Sequence, residues 1–312
     1  MSAGEAWTGA AGRRVLVTGA SGFIGGRLIA RLASSGAVVH ATSRVARPNR
    51  AGVRWWQVDL ADENTTRSVV ETAQPEVIVH LAGWPVGARN PAEVMPTFRS
   101  NLASTVNLLT AAVAIGRPRI VLTGSLEEPR GDALREAASS PYAVSKWAVR
   151  AYGRMFHELF ELPVVILRVF MVYGPTQRDV RKLVPYSILS FLRGEAPRLS
   201  SGQREVDWIF VDDVVEAYLA AAFKPGLAGV SADVGSGQLV SIRDIVLRIA
   251  SVMQTPIEPE FGALPDRPRE QVRVADVAGS ETLLGWRPRV SLDEGLRRTA
   301  AWYARESKAG RA

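Results

Sequence analysis

Residues 13–26, RRVLVTGASGFIGG, constrain the fold more than any other stretch: a short β-branched strand runs into a glycine-rich turn and directly opens an apolar helix. Gly19, Gly22 and Gly25 lie three apart, so the turn is tight, its backbone is unshielded and the helix N-terminus faces outward. Free N–H groups and the positive helix end make such a turn a seat for a pyrophosphate. Glycine-rich strand-to-helix turns also arise for structural reasons alone; the position of this one, at the start of an α/β run, favours the ligand.

The rest of the first half keeps that rhythm. The pattern predicts strands at Val15–Thr18, Val38–Thr42, Val53–Val58, Val77–Leu81, Ile120–Thr123 and Val164–Arg168, with helices near Phe23–Ser35, Glu63–Thr72, Ala92–Ile115 and Tyr142–Phe160. Continuous apolar strands alternating with helices imply an α/β fold with a parallel sheet covered on both faces. After Gly174-Pro175 the rhythm changes to helical pieces, a strand near Val206–Val211 and the proline-rich stretch from Pro256 to Pro268. The expected organisation is a flexible N-terminus at 1–12, a nucleotide-binding domain at 13–172 with the strand near 206–211 added to its sheet, and a smaller interleaved lobe at 173–312.

Composition narrows the class. Cysteine is absent, which excludes disulfides, thiolate metal sites and cysteine nucleophiles, and fits a reducing cytoplasm. The net charge of +7 comes from 38 basic residues, of which only Lys146, Lys182, Lys224 and Lys308 are lysine. The arginines are scattered rather than clustered, so nucleic acid is not an expected partner. A modest positive field would still help to draw in an anionic substrate. The N-terminus lacks an apolar signal-peptide core, and no apolar run approaches the ~20 residues a membrane helix needs. A soluble intracellular protein, with no membrane partner and no metal site, is expected.

Tyr142 and Lys146, in PYAVSK, stand at i and i+4 and therefore one above the other on a helix face. A phenol with a pKa near 10 is a poor acid–base group at neutral pH; a lysine ammonium one turn away, together with a nicotinamide cation, would favour its phenolate. Ser125 follows the fifth strand, where ligands of open α/β sheets sit, and could hydrogen-bond a substrate oxygen beside the tyrosine. An ordinary turn serine is the plainer alternative. Asp59, in VDL, suits either an adenine amino group or a role at a helix N-terminus.

The run T-G-A-S-G-F-I-G at Thr18–Gly25, Ser125, and Tyr142-x-x-x-Lys146 resemble the extended short-chain dehydrogenase/reductase family, in its nucleotide-sugar epimerase/dehydratase branch. Further matches are HLAG at His80–Gly83, Asn101, Arg168 to Pro175, VDWIFVDDV at Val206–Val214, RPREQ at Arg267–Gln271 and LGWRP at Leu284–Pro288. They run through nearly the whole chain in family order. The resemblance implies a Rossmann-type doubly wound sheet whose C-terminal lobe holds a nucleoside-diphosphate sugar. It implies Tyr142 as general acid/base, Lys146 tuning it and holding the nicotinamide ribose, and Ser125 positioning the substrate oxygen. Gly19, Gly22 and Gly25 would hold the pyrophosphate, with Ser21, Phe23, Ile24, Asp59, Leu60, Leu81, Ala82 and Gly83 as further cofactor contacts. Arg267 would reach the sugar diphosphate, and the two long helices would pair in a homodimer.

Three departures from the family pattern narrow the chemistry. The acidic residue that ends the second strand of NAD-preferring relatives is replaced by Ser43-Arg44, which suits a 2′-phosphate and favours NADP(H), with NAD as the alternative. After Ser125 the Asp-Glu of relatives that eliminate water reads Leu126-Glu127; leucine cannot protonate a leaving hydroxyl, which disfavours a standard 4,6-dehydratase and leaves Glu127 as a candidate base. Met171 stands where relatives carry an asparagine, and Val206 where they carry an arginine; Arg204, two residues earlier, is the expected substitute. The leading expectation is an NADPH-dependent reductase of a nucleoside-diphosphate keto-sugar of the 4-keto-6-deoxyhexose class. An NAD-dependent epimerase is the alternative, and an NADP-sensing regulator fits less well because a sensor has no need of a proton relay.

Overall fold

The computed structural model describes residues 8–50, 52–129, 138–266 and 271–310. Strand β1 (Arg14–Thr18) buries four of its five residues, as a strand covered on both faces must. Helix α1 (Phe23–Ser34) follows at once, then β2 (Val38–Ser43), β3 (Val53–Gln57), α2 (Glu63–Ala73) and β4 (Val77–His80). The Asp62 carboxylate starts α2 by accepting the Thr65 N–H, and Gln74 in the left-handed region ends it.

The single helix expected over 92–115 is divided in the structure. Helix α3 (Val94–Thr97) passes into a π-helical turn, Phe98–Ala103, before α4 (Ser104–Ala114). The hydroxyls of Ser104 and Thr105 donate back to the carbonyls of Ser100 and Asn101, a pattern that bends helices and that hydrophobic periodicity does not report. Strand β5 (Arg119–Ser125) leads to α5 (Pro141–Phe160), which opens on Ser140 as N-cap and a proline at its first position. Strand β6 (Val164–Val169) follows.

The main sheet has seven strands in the order β3-β2-β1-β4-β5-β6-β9, where β9 is Ser231–Val234. All pairings from β3 through β6 are parallel. This is the doubly wound arrangement that the sequence predicts. Leu16, Ile78, Ile120, Leu122 and Ile166 of the sheet pack with Leu108, Leu109, Val149 and Phe156 of the helices in one buried cluster.

The strand near 206–211 does not join this sheet, contrary to expectation. Strand β7 (Met171–Tyr173) precedes helix α6 (Leu183–Leu192) and strand β8 (Glu205–Phe210). β8 pairs in parallel with β7 and antiparallel with β10 (Leu239–Ser241), forming a separate three-stranded sheet. The edge beside β6 is already taken, because Ile166 N–H donates to Val230 O and Phe170 N–H to Val234 O. Asp207 ties β8 to its own surroundings: its buried carboxylate accepts the N–H groups of Ser236, Gly237 and Ala275. Helices α7 (Val211–Phe223), α8 (Ile242–Met253), α9 (Val277–Leu284) and α10 (Leu292–Lys308) complete the described chain.

Two compact units result. One comprises the chain up to Val169 with Val215–Ala232 and Gly279–Trp286; the other comprises Phe170–Val214, Asp233–Ala278 and the chain from Arg287 onward. Among the described residues no helix is long and apolar enough to cross a membrane.

Candidate active site

At the C-terminal end of β1 the chain leaves no room for side chains. Gly19 has φ +64°, and a Cβ there would lie 2.6 Å from Ala82 N; at Gly25 a Cβ would lie 2.3 Å from Gly19 O. Gly22 N–H donates to Gly19 O at 2.9 Å and closes the turn. Gly22 is also the N-cap of α1 and offers no side chain to the first-turn N–H groups, which leaves them for an anion. Ser21 is exposed, and Phe23 and Ile24 are half-buried beside it. Ala82 N–H donates to Thr18 Oγ1 at 3.2 Å, which joins the HLAG segment to β1; Leu81 and Ala82 are half-buried and Gly83 exposed. This bare cradle fits a dinucleotide pyrophosphate.

At the end of β2 stands a hydroxyl in place of a carboxylate. Ser43 Oγ accepts Val45 N–H at 3.2 Å and Arg47 Nε–H at 3.4 Å. The Arg47 guanidinium lies over the Trp55 ring, 5.3 Å from its centroid, so its position is fixed by a cation–π contact. Arg44 is exposed beside it. Arg47 is the cation that the sequence reading missed; only the turn after β2 brings it back to Ser43. Exposed Asp59 accepts Ala61 N–H at 3.1 Å in the turn that leads to α2, whose cap is Asp62; Leu60 is buried next to it.

β5 and α5 bring Ser125, Tyr142 and Lys146 together. Ser125 is the buried last residue of β5, and Tyr142 and Lys146 lie on the first two turns of α5. Lys146 Nζ donates to Thr123 O at 2.9 Å and lies 5.8 Å from the Tyr142 ring centroid. Burial pushes the Tyr142 phenol up to about 12, against the influence of the Ser125 hydroxyl, while the charges of Glu127 and Glu128 push the same way as burial. Burial also brings the Lys146 ammonium down to about 8, opposed by Glu128. Among these influences desolvation is the largest, and it favours the protonated phenol.

Neighbours hold this set in place. In the π turn, Asn101 Nδ2–H donates to Ser145 Oγ at 2.8 Å, while its Oδ1 accepts Trp84 N–H at 2.6 Å. π turns of this kind recur at functional sites. His80 bridges Thr18 Oγ1 at 2.7 Å and Thr105 Oγ1 at 3.0 Å, and burial lowers its pKa to about 3, so it is a neutral structural link.

The candidate substrate residues fall in different places. Glu127 is half-buried next to Ser125: its N–H donates to Ser125 Oγ at 3.2 Å, and its carboxylate accepts from Ser139 Oγ at 3.4 Å. Leu126, at the dehydratase acid position, is buried. Arg204 belongs to the second unit, one residue ahead of β8, and donates to Gln271 O at 3.0 Å. Val206 is buried on β8 and Met171 is half-buried on β7. Arg267 lies outside the described residues.

Comparison with known proteins agrees with this geometry. The profile of the NAD dependent epimerase/dehydratase family matches residues 15–232. A UDP-glucose 4-epimerase of Mycolicibacterium smegmatis is 31% identical over 317 residues, covering 95% of this chain and 100% of the relative. A dTDP-glucose 4,6-dehydratase of Haemophilus influenzae is 28% identical, covering 93% and 97%. Among solved structures, the Thermus thermophilus UDP-glucose 4-epimerase in complex with NAD superposes with a TM-score of 0.80 at 27% identity, covering 93% of this chain and 99% of that one.

Proposed function

The chain belongs to the NAD dependent epimerase/dehydratase family of nucleotide-sugar enzymes, and from that premise we propose that it is an NADPH-dependent reductase of a nucleoside-diphosphate keto-sugar, of the 4-keto-6-deoxyhexose class. The observation that carries the finer reading is the end of β2, where Ser43, Arg44 and the Trp55-held Arg47 replace a carboxylate with two cations. Such a site attracts a 2′-phosphate and gives up the carboxylate that would bind an unmodified ribose.

When bound, the reduced nicotinamide supplies a hydride to the carbonyl carbon. Tyr142 gives its proton to the carbonyl oxygen, so carbonyl plus hydride plus proton becomes an alcohol. A phenol that stays protonated is suited to that direction. The Ser125 hydroxyl, which acts on the Tyr142 phenol, would hold the same oxygen. Lys146, anchored by Thr123 O, supplies positive charge beside the phenol as the proton leaves. Glu127 lies where it could contact the sugar, and Arg204 and Arg267 are proposed to bind the nucleotide portion. Buried Leu126 supplies no acid for a dehydration. We further propose a homodimer through the exposed apolar residues of α3 and α5, and the absence of cysteine suits a cytoplasmic enzyme.

A second reading, a nucleotide-sugar 4-epimerase, is favoured by the full-length likeness to the Mycolicibacterium smegmatis epimerase. Incubation with a panel of nucleoside-diphosphate 4-keto-6-deoxyhexoses separates the two. The reductase consumes one NADPH per sugar reduced; interconversion of 4-epimeric nucleotide hexoses without net cofactor use would establish the epimerase.

A further inference from the structure

The acid–base site contains a buried carboxylate that the reaction above does not use. Glu128 lies in the turn after β5 and is 0% exposed. Its Oε1 accepts Ser125 N–H at 2.7 Å, and its own N–H donates to Ser125 O at 3.3 Å. Space for it is built into the strand: a Cβ at Gly124 would lie 2.4 Å from Oε1. On the other side, Leu126 N–H donates to Val169 O at 3.2 Å and pins the turn to β6.

Charged groups of two neighbouring elements act on this carboxylate. Helix α5 presents Lys146 and Arg150, and β6 presents Arg168. Glu127 lies in the same turn, and both glutamates act on Tyr142. A buried carboxylate is retained where cations and N–H donors oppose its desolvation; burial pushes the Glu128 carboxyl above the ordinary carboxylate range, and the Ser125 N–H, Arg150, Arg168 and Lys146 act against that push.

We propose that Glu128 is a positioning residue of the acid–base site: its carboxylate fixes Ser125 through the backbone N–H and sets a negative charge beside Lys146 and Tyr142. The proposal rests on the reading of Tyr142 as the proton donor. Loss of the negative charge, with the backbone contact kept by an amide, therefore makes Tyr142 more acidic.

The test is a phenolate titration by ultraviolet difference absorbance in protein saturated with NADP+ or NAD+. Parent and E128Q are each measured against their Tyr142→Phe counterparts, so that the other tyrosines cancel. The expected result is a downward shift of the Tyr142 inflection by about one pH unit in E128Q, with return to the parent value in E128D. An unchanged inflection in folded E128Q overturns the proposal. If E128Q does not fold, the neutral E128M is titrated to the same criterion. If neither neutral variant folds while E128D does, Glu128 is a folding requirement only and the proposal falls. No sugar enters the titration, so a protein that shows the shift but reduces no nucleotide sugar keeps this inference and loses the keto-sugar reading.

Discussion

At Tyr142 and Lys146 the same desolvation acts on two groups of opposite charge type: it holds the phenol protonated, up to about 12, and brings the ammonium down to about 8. Both outcomes are measurable. Tyr142→Phe removes the proton donor and leaves the cradle at Gly19–Gly25 untouched, so kcat falls about 10³-fold while cofactor Kd stays within twofold. Near-normal turnover in that variant would remove Tyr142 from the mechanism. Lys146 loses its charge as pH rises through about 8, so kcat/KM declines above that pH. Lys146→Arg, which stays charged, should lack this limb. The sequence shows the Tyr-x-x-x-Lys spacing but not its environment: the depth of burial depends on how β5, β6 and α5 close around the pair. Arg47 and Glu128 were illegible for the same reason, since each matters through a contact made by a loop that returns.

The elements carrying these residues were mostly readable, because strand and helix periods and capping residues are local. Residues Ser140 and Pro141 mark the start of α5 directly in the sequence. The π turn at Phe98–Ala103 and the partners of β8 were not readable. The first depends on hydroxyl back-bonding within a helical pattern, the second on which sheet edge is free. Two tests belong at this scale. A Cβ at Gly25 meets backbone at 2.3 Å, so Gly25→Ala should cost about 2 kcal/mol or more and abolish cofactor binding, read by thermal melting and titration. His80 has a folded-state pKa lowered from 6.5 to about 3. Between those values the unfolded chain binds a proton that the folded chain does not, so stability is lost as pH falls through that window, at up to about 1.4 kcal/mol per pH unit. His80→Asn should lack that contribution, and the difference in urea midpoint between the two proteins should shrink as pH falls from 7 to 5.

For the whole molecule, the exposed apolar residues Val94, Met95 and Phe98 of the α3 region and Trp147 and Leu159 of α5 form the proposed dimer face. Sedimentation should show a dimer, and Trp147→Glu a monomer with its fold retained. A monomeric parent would leave that face without its proposed partner. The likeness to epimerases and dehydratases assigns the family but not the direction of the redox chemistry, which turns on whether the cofactor is exchanged at each turnover. The most direct measurement is therefore of cofactor identity and affinity: analysis of what co-purifies, followed by titration with NADPH and NADH. The expected result is an empty protein that binds NADPH at least about tenfold more tightly, as one added ionic contact of about 1.4 kcal/mol would give. Tightly held NAD, or a preference for NADH, would contradict the roles of Ser43, Arg44 and Arg47 and make the epimerase the correct reading.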